Sequence, residues 1–121
     1  MERVCFVEYR GTRILQVDYS RIHDPEELRG VVRMATAVVQ THPPHSLLVL
    51  VDLTDVPHSL VTTAILHQGV AESRPYVRAR AVIGLSPFAK LSFEIAAKIF
   101  RNPMASFSEP VAAKEWLLAH A

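Results

Sequence analysis

The chain has 121 residues, half of them hydrophobic and 21% charged, and its formal net charge at pH 7 is +1. This length is typical of one domain, so we predict a single domain over residues 1–121. Thirteen basic residues against twelve acidic ones exclude a strongly basic nucleic-acid-binding protein and an acidic tail. The single cysteine, Cys5, excludes an internal disulfide framework and a metal site built from several cysteines.

The N-terminal region predicts a β-hairpin followed by a helix. Two runs of β-branched and aromatic residues, at 3–9 and 13–19, flank Gly11-Thr12, which is typical of a hairpin turn. Asp24-Pro25 then predicts a helix start, with the aspartate as N-cap and the proline at the first helical position. Apolar residues continue at helical spacing to about residue 41: Leu28, Val31, Val32, Ala35, Val38 and Val39.

The rest of the chain alternates apolar strands with helices. Three strands are predicted, at residues 46–53, 77–84 and 104–107. Each is followed by a helix with a serine as predicted N-cap: residues 60–72 after Ser59, residues 87–101 after Ser86, and a last helix after Ser108. The order ββαβαβαβα predicts an α/β fold with a mixed, mainly parallel sheet, an N-terminal antiparallel hairpin and about four helices.

No segment is typical of a signal peptide or of a membrane-spanning helix. The longest aliphatic run covers residues 47–51, far fewer than the ~20 residues that cross a bilayer. With one cysteine and no export signal, we predict a cytoplasmic location.

Polar residues cluster at the predicted carboxyl ends of the strands, where ligands usually bind in open α/β sheets. The residues expected on this rim are His23, Asp52, Thr54, Asp55, His58, Ser59 and Ser86. Helix N-termini favour anions, so four of these residues form a candidate switch or anion site: Ser59, Asp52, Asp55 and His58. The alternative interpretation is that the serines only cap their helices.

The rim residues do not match a known catalytic or metal-binding pattern. His58 and Ser59 are adjacent, so their side chains point apart, and the sequence has no Gly-x-Ser-x-Gly elbow. His42 and His45 have no cysteine or acidic residue nearby in sequence, and no glycine-rich phosphate loop occurs. We therefore predict no catalytic residue, no metal and no cofactor.

Two arginines in the predicted strand at 77–84 are candidate anion ligands. Arg78 and Arg80 alternate with apolar residues and should share one face of the strand. They could bind an anion there, or be solvated or paired with acidic neighbours. Because no wider basic surface or interleaved aromatic residues accompany them, we predict no nucleic-acid partner.

The predicted third helix is apolar around more of its circumference than one sheet face would cover. A surface helix needs an apolar stripe of little more than 100°. Here the first stripe comprises Phe88, Leu91, Ile95 and Ile99. It is continued by a second group, which is the candidate interface or apolar-ligand site: Phe93, Phe100, Ala96 and Ala97. We expect a second copy or an apolar ligand to pack on Phe93 and Phe100, unless the neighbouring helix of the domain covers them.

Three segments, at residues 51–56, 74–84 and 112–117, together with the order of elements, resemble a known group. The sequence is similar to the SpoIIAA-like branch of the STAS superfamily, the relatives of anti-sigma-factor antagonists. The resemblance implies a mixed-sheet fold with four helices, no cofactor and no catalysis. It also implies a protein-interaction module, and the branch shares features with CRAL-TRIO lipid-binding domains.

The resemblance bears on Ser59 as well. Antagonists of this superfamily carry a phosphorylated serine or threonine within an Asp-Ser-Ser/Thr-Gly motif after the central strand. The comparable stretch here is residues 57–61, where Ser59 matches the serine, His58 replaces the aspartate and the glycine is missing. A phosphate would also lie beside Asp52 and Asp55, so we expect no phosphorylation of Ser59.

The sequence thus predicts a non-enzymatic, STAS-like regulatory domain that contacts an unidentified protein partner and self-associates as a homodimer. The alternative is a domain that binds or carries an apolar small molecule or lipid. An unrecognised hydrolase is the third possibility.

Overall fold

A computed structural model describes residues 2–100 and 103–121, including every side chain in these ranges except that of Phe100. The elements follow the predicted order: β1 (Val4–Tyr9), β2 (Thr12–Asp18), α1 (Pro25–Val39), β3 (Leu47–Asp52), α2 (Leu60–Ser73), β4 (Val77–Ile83), α3 (Pro87–Phe100), β5 (Met104–Phe107) and α4 (Pro110–Ala119). A short 3₁₀ turn, Arg74–Tyr76, joins α2 to β4. The predicted end of the third helix, at residue 101, lies outside the described residues.

The five strands form one sheet in the order β1-β2-β3-β4-β5. β1 and β2 pair in antiparallel fashion, and all later neighbours pair in parallel, as the sequence predicts. In the hairpin, Arg10 and Gly11 have φ angles of 51° and 79°. Two consecutive positive φ angles give a two-residue turn whose twist matches that of the flanking strands.

The sheet has an apolar core on each face. On one face, residues of β2 and β3 such as Val17 and Val49 pack with α1 and α2, and Phe93 of α3 lies against this core. On the other face, Leu48 and Leu50 pack with Leu117 of α4. Because successive side chains of a strand point to opposite faces, the apolar run 47–51 of β3 is what burial on both sides requires.

Three of the four predicted caps are confirmed. In each, the N-cap side chain accepts a hydrogen bond from the backbone N–H three residues later: Asp24 from Glu27, Ser59 from Thr62, and Ser86 from Ala89. The prediction that Ser108 caps α4 is wrong. Pro110 occupies the first turn of α4, which makes Glu109 the N-cap residue, and Glu109 forms no side-chain capping bond.

None of the helices in the described part of the chain could span a lipid bilayer. The longest, α1, has 15 residues, whereas a span needs ~20 apolar residues.

Candidate functional site

The carboxyl ends of β2, β3 and β4 meet at one edge of the sheet, as predicted. Just beyond the strands, the backbone N–H of Tyr19 donates to the carbonyl of Asp52 at 2.9 Å, and that of Leu53 donates to the carbonyl of Ile83 at 2.9 Å. Gly84 follows with a φ of 84° and lies directly against Thr54. This contact brings the segment after β4 against the segment after β3.

The two carboxylates of the predicted rim have local partners. Asp52 Oδ1 accepts hydrogen bonds from the backbone N–H of Thr54 at 2.9 Å and from its hydroxyl at 2.6 Å, which closes the turn after β3. Asp55 Oδ2 lies 3.5 Å from His23 Nε2, and both side chains are exposed. These contacts link the rim residues within and between the loops after β2 and β3.

Ser59 and His58 are likewise engaged separately. The Ser59 hydroxyl takes part in a capping box, accepting from the Thr62 N–H while the Thr62 hydroxyl accepts from the Ser59 N–H. The His58 ring instead contacts the ring of Phe88 edge-on, with centroids 5.1 Å apart. The structure therefore places the four candidate switch residues at one edge, and the absence of phosphorylation at Ser59 stays a prediction.

The capping role of Ser59 can be tested directly. We expect Ser59→Ala to lower the free energy of unfolding by about 1 kcal/mol, because the Thr62 N–H loses its acceptor. Ser108→Ala is the matched control and should change stability little, because Ser108 is not an N-cap residue. Urea denaturation of both variants measures the difference. Equal losses would show that the capping bond of Ser59 adds nothing.

A cavity of about 130 Å³ lies between the sheet and helices α1, α2 and α3. Most of its lining side chains are apolar, and Phe93 and Ala96 contribute to it from α3. His58 and His67 also line it and are exposed, so the cavity opens to solvent beside α2. Ala97 is not among the lining residues, and the side chain of Phe100 lies outside the described residues.

The expectation that a second copy or an apolar ligand packs on Phe93 and Phe100 of α3 stays a prediction. Phe93 is half-buried against the core, and Ala96 is buried, so this side of the helix faces the domain. The other side carries the excess apolar surface. We call it the outward stripe; its residues and exposed fractions are Phe88, 72%; Leu91, 59%; Ile95, 59%; and Ile99, 68%. The helical periodicity of the sequence predicted how wide the apolar surface of α3 is. It did not indicate whether the outward stripe or the side with Phe93 and Ala96 faces the sheet.

The cavity contains one of the two arginines that the sequence indicated as candidate anion ligands. Arg80 is 6% exposed and lines the cavity with Tyr19 and Ser73, and one of its Nη atoms donates to the Ser73 hydroxyl at 2.6 Å. Arg78, in contrast, is exposed and donates through Nε to the carbonyl of His45 at 3.0 Å. The two arginines therefore do not act together, which corrects the paired-ligand expectation.

A bulge in β4 separates the environments of the two arginines. Leu47 pairs with Val77 but Leu48 pairs with Ala79, so Arg78 is the extra residue and has no partner in β3. Arg80 is back in register opposite Val49, and its side chain lies on the face of the sheet that α1 and α2 cover. The available signal was an arginine between two alanines, in a strand whose other residues are apolar except for Arg78.

Burial shifts the pKa values of Arg80 and Tyr19, which both line the cavity. Desolvation lowers the pKa of Arg80 to about 10, so the guanidinium is still charged at pH 7. Desolvation raises the pKa of Tyr19 to about 12, opposed by the nearby charge of Arg80, so the hydroxyl is a neutral donor at pH 7. The cavity thus presents the positive charge of Arg80 and the neutral hydroxyl of Tyr19 among mostly apolar walls.

Within the described ranges, no three His, Cys, Asp or Glu side chains come close enough to hold a metal ion.

The fold has known counterparts among solved structures, although no family model and no curated protein matches the sequence. A protein of the DUF3478 family from Shewanella loihica PV-4, described as uncharacterised and SpoIIAA-like in fold, superposes with a TM-score of 0.74. The two are 13% identical, and the match covers 94% of this chain and 91% of that chain.

A second solved structure is an anti-sigma-factor antagonist (STAS) domain protein from Planctomyces limnophilus. It has a TM-score of 0.58 and 17% identity, and the match covers 97% of each chain. The resemblance noted in the sequence is therefore confirmed at the level of the fold: this chain has the SpoIIAA-like fold of STAS domains.

Proposed function

We propose that this protein is a non-enzymatic regulatory domain that works by protein contact, and that two copies associate through the outward stripe of α3. The fold supports the general class, because STAS domains typically interact with proteins. The stripe carries the proposal: four large apolar side chains stand exposed on consecutive turns of one helix. Contiguous apolar patches of this kind usually mark contact sites on soluble proteins. The half-buried free thiol of Cys5 suits a reducing compartment, so we place the protein in the cytoplasm.

Charge favours a second copy as the occupant of the stripe. Helical geometry places the exposed residues Glu94 and Lys98 along one edge of the stripe. A net charge of +1 adds little repulsion between copies. A strongly acidic or basic partner would meet charges of both signs along this edge.

Ile95→Glu tests this interface, because it puts a carboxylate in the middle of the stripe. We expect the wild-type chain to form dimers and the variant to dissociate at least about thirtyfold more readily, since a central interface residue contributes about 2 kcal/mol or more. Sedimentation equilibrium measures the dissociation constant. Thermal unfolding should remain close to that of the wild type at low concentration, because Ile95 is exposed in the monomer.

Val111→Glu is the matched control. Val111 is also an exposed apolar helix residue, 61% accessible, but it belongs to α4 on the opposite face of the sheet. Its substitution should leave the dimer intact. A wild-type chain that is monomeric at every concentration, or equal weakening by the two substitutions, would overturn the proposed interface.

We propose ligand binding in the α1–α2–α3 cavity as the second candidate function. The observation that favours it is the apolar lining of a space that opens beside α2. Ligand sites are usually concave, mostly apolar and equipped with a few polar groups. This function is compatible with self-association, because none of the four residues of the outward stripe lines the cavity.

A further inference from the structure

Among the residues that the structure describes, none forms an ion pair with the buried cation Arg80. Its one side-chain hydrogen bond goes to Ser73, whose hydroxyl donates in turn to the carbonyl of Gly69 at 2.8 Å. The ion pairs of the described residues all lie elsewhere. The residues outside the described ranges are a methionine, an arginine and an asparagine, so their side chains add no carboxylate.

An unpaired charge in this position is costly. Moving an ion out of water costs several kcal/mol unless a partner and hydrogen bonds compensate. An arginine has five N–H donors, and Arg80 uses one of them in a side-chain hydrogen bond. No side-chain nitrogen or oxygen of the described residues is sealed from solvent without a partner, so the other donors of Arg80 border open space. That space is the cavity, which Arg80 lines.

Tyr19 adds a second donor in the same cavity. It is 7% exposed and lines the cavity together with Arg80. Its hydroxyl and the guanidinium together offer an anion two kinds of donor inside apolar walls. Hydrogen bonds to a charged group in such an environment are about twice as strong as those between neutral groups.

We propose that the cavity binds a small apolar monocarboxylic acid, with its carboxylate on Arg80 and Tyr19 and its hydrocarbon part against the apolar walls. This inference rests on the cavity being a ligand site, the second candidate function above. One fixed positive charge balances a monoanion, whereas a dianionic phosphate would keep one charge unbalanced. A cavity of about 130 Å³ is close to the ~150 Å³ that holds a benzene molecule, so the occupant is a ring or short chain and not a two-chain lipid.

Hexanoate and 1-hexanol are the probes, because they share a chain length and differ in charge. In a titration followed by NMR, we expect wild-type protein to bind hexanoate at least about tenfold more tightly than 1-hexanol. Methyl signals on the α1–α2 face, such as those of Val49 and Val82, should shift, whereas Leu48 and Leu50 on the α4 face should not. Inorganic phosphate, which lacks a hydrocarbon part, should bind more weakly than hexanoate.

Arg80→Met should abolish the preference for hexanoate over 1-hexanol while preserving the cavity. Its melting temperature should equal or exceed that of the wild type, because replacing a buried ion with an apolar side chain of similar length is often neutral or stabilising. Arg78→Met is the matched control: it removes an exposed arginine two positions away and should preserve the preference. Ala89→Leu fills space at the cavity from α3 without altering Arg80, and it should weaken hexanoate binding.

Two results would overturn the inference. Equal affinities of the wild type for hexanoate and 1-hexanol would show a ligand site that does not use Arg80, whereas binding of neither probe at millimolar concentration would remove the ligand site as well. If Arg80→Met fails to fold, two other measurements test the inference: the relative affinity of the wild type for hexanoate and 1-hexanol, and the affinity of Ala89→Leu for hexanoate.

Discussion

Alanine in place of Gly84 is expected to lower the free energy of unfolding by about 3 kcal/mol. A Cβ atom built on Gly84 would lie 2.5 Å from the backbone nitrogen of Thr54 and 2.7 Å from its Cα. Both distances are far below van der Waals contact, and backbone atoms cannot rotate away as a side chain can. The φ of 84° adds the cost of a left-handed conformation for a residue with a Cβ.

The damage should be centred on the rim, because Thr54 is the residue that bonds to Asp52 in the turn after β3. Gly30→Ala is the control. Gly30 lies in α1 with nothing near the position of its missing Cβ, so alanine there should raise stability by about 1 kcal/mol through helix propensity. Guanidinium denaturation of both variants gives the two changes. A loss below about 1 kcal/mol for Gly84→Ala would contradict the close packing of the two segments.

Leu117→Ala is expected to lower the free energy of unfolding by about 3 to 5 kcal/mol. Leu117 is fully buried in the core between α4 and the sheet, where it packs with Leu48, Leu50 and other strand residues. Truncation removes buried methyl groups and creates a cavity that the close-packed strands cannot fill by small movements. The expected loss is a large share of the total stability of a domain of this size.

Val111→Ala in the same helix controls for the general effect of shortening a side chain. Because Val111 is exposed, the substitution should change the free energy of unfolding of the protein by no more than about 0.5 kcal/mol. Comparable losses at the two positions would contradict the placement of α4 on the sheet. Because the α4 face is separated from the cavity by the sheet, Leu117→Ala that still folds should retain the preference for hexanoate.

The sequence by itself determined the features that depend on local physical chemistry. Asp24-Pro25, Ser59 and Ser86-Pro87 specify helix starts, because a side-chain acceptor satisfies a free N–H within three residues of itself. The apolar run of β3 specifies burial on both faces, because side chains alternate along a strand. Ser108 is the exception, since Pro110 moved the helix start by one residue and left Glu109 as the N-cap.

The tertiary structure alone decided which surfaces are free and where charge is buried. The helical period of α3 fits either half of its apolar arc, and only packing against the core set Phe93 inward and the outward stripe in solvent. The burial of the Arg80 side chain depends on a bulge at Arg78 in β4. It also depends on Ser73 of α2, which accepts its hydrogen bond and which the fold places beside it. Burial is a property of neighbours distant in sequence, so no local pattern could reveal that one arginine would be enclosed beside a cavity and the other left in water.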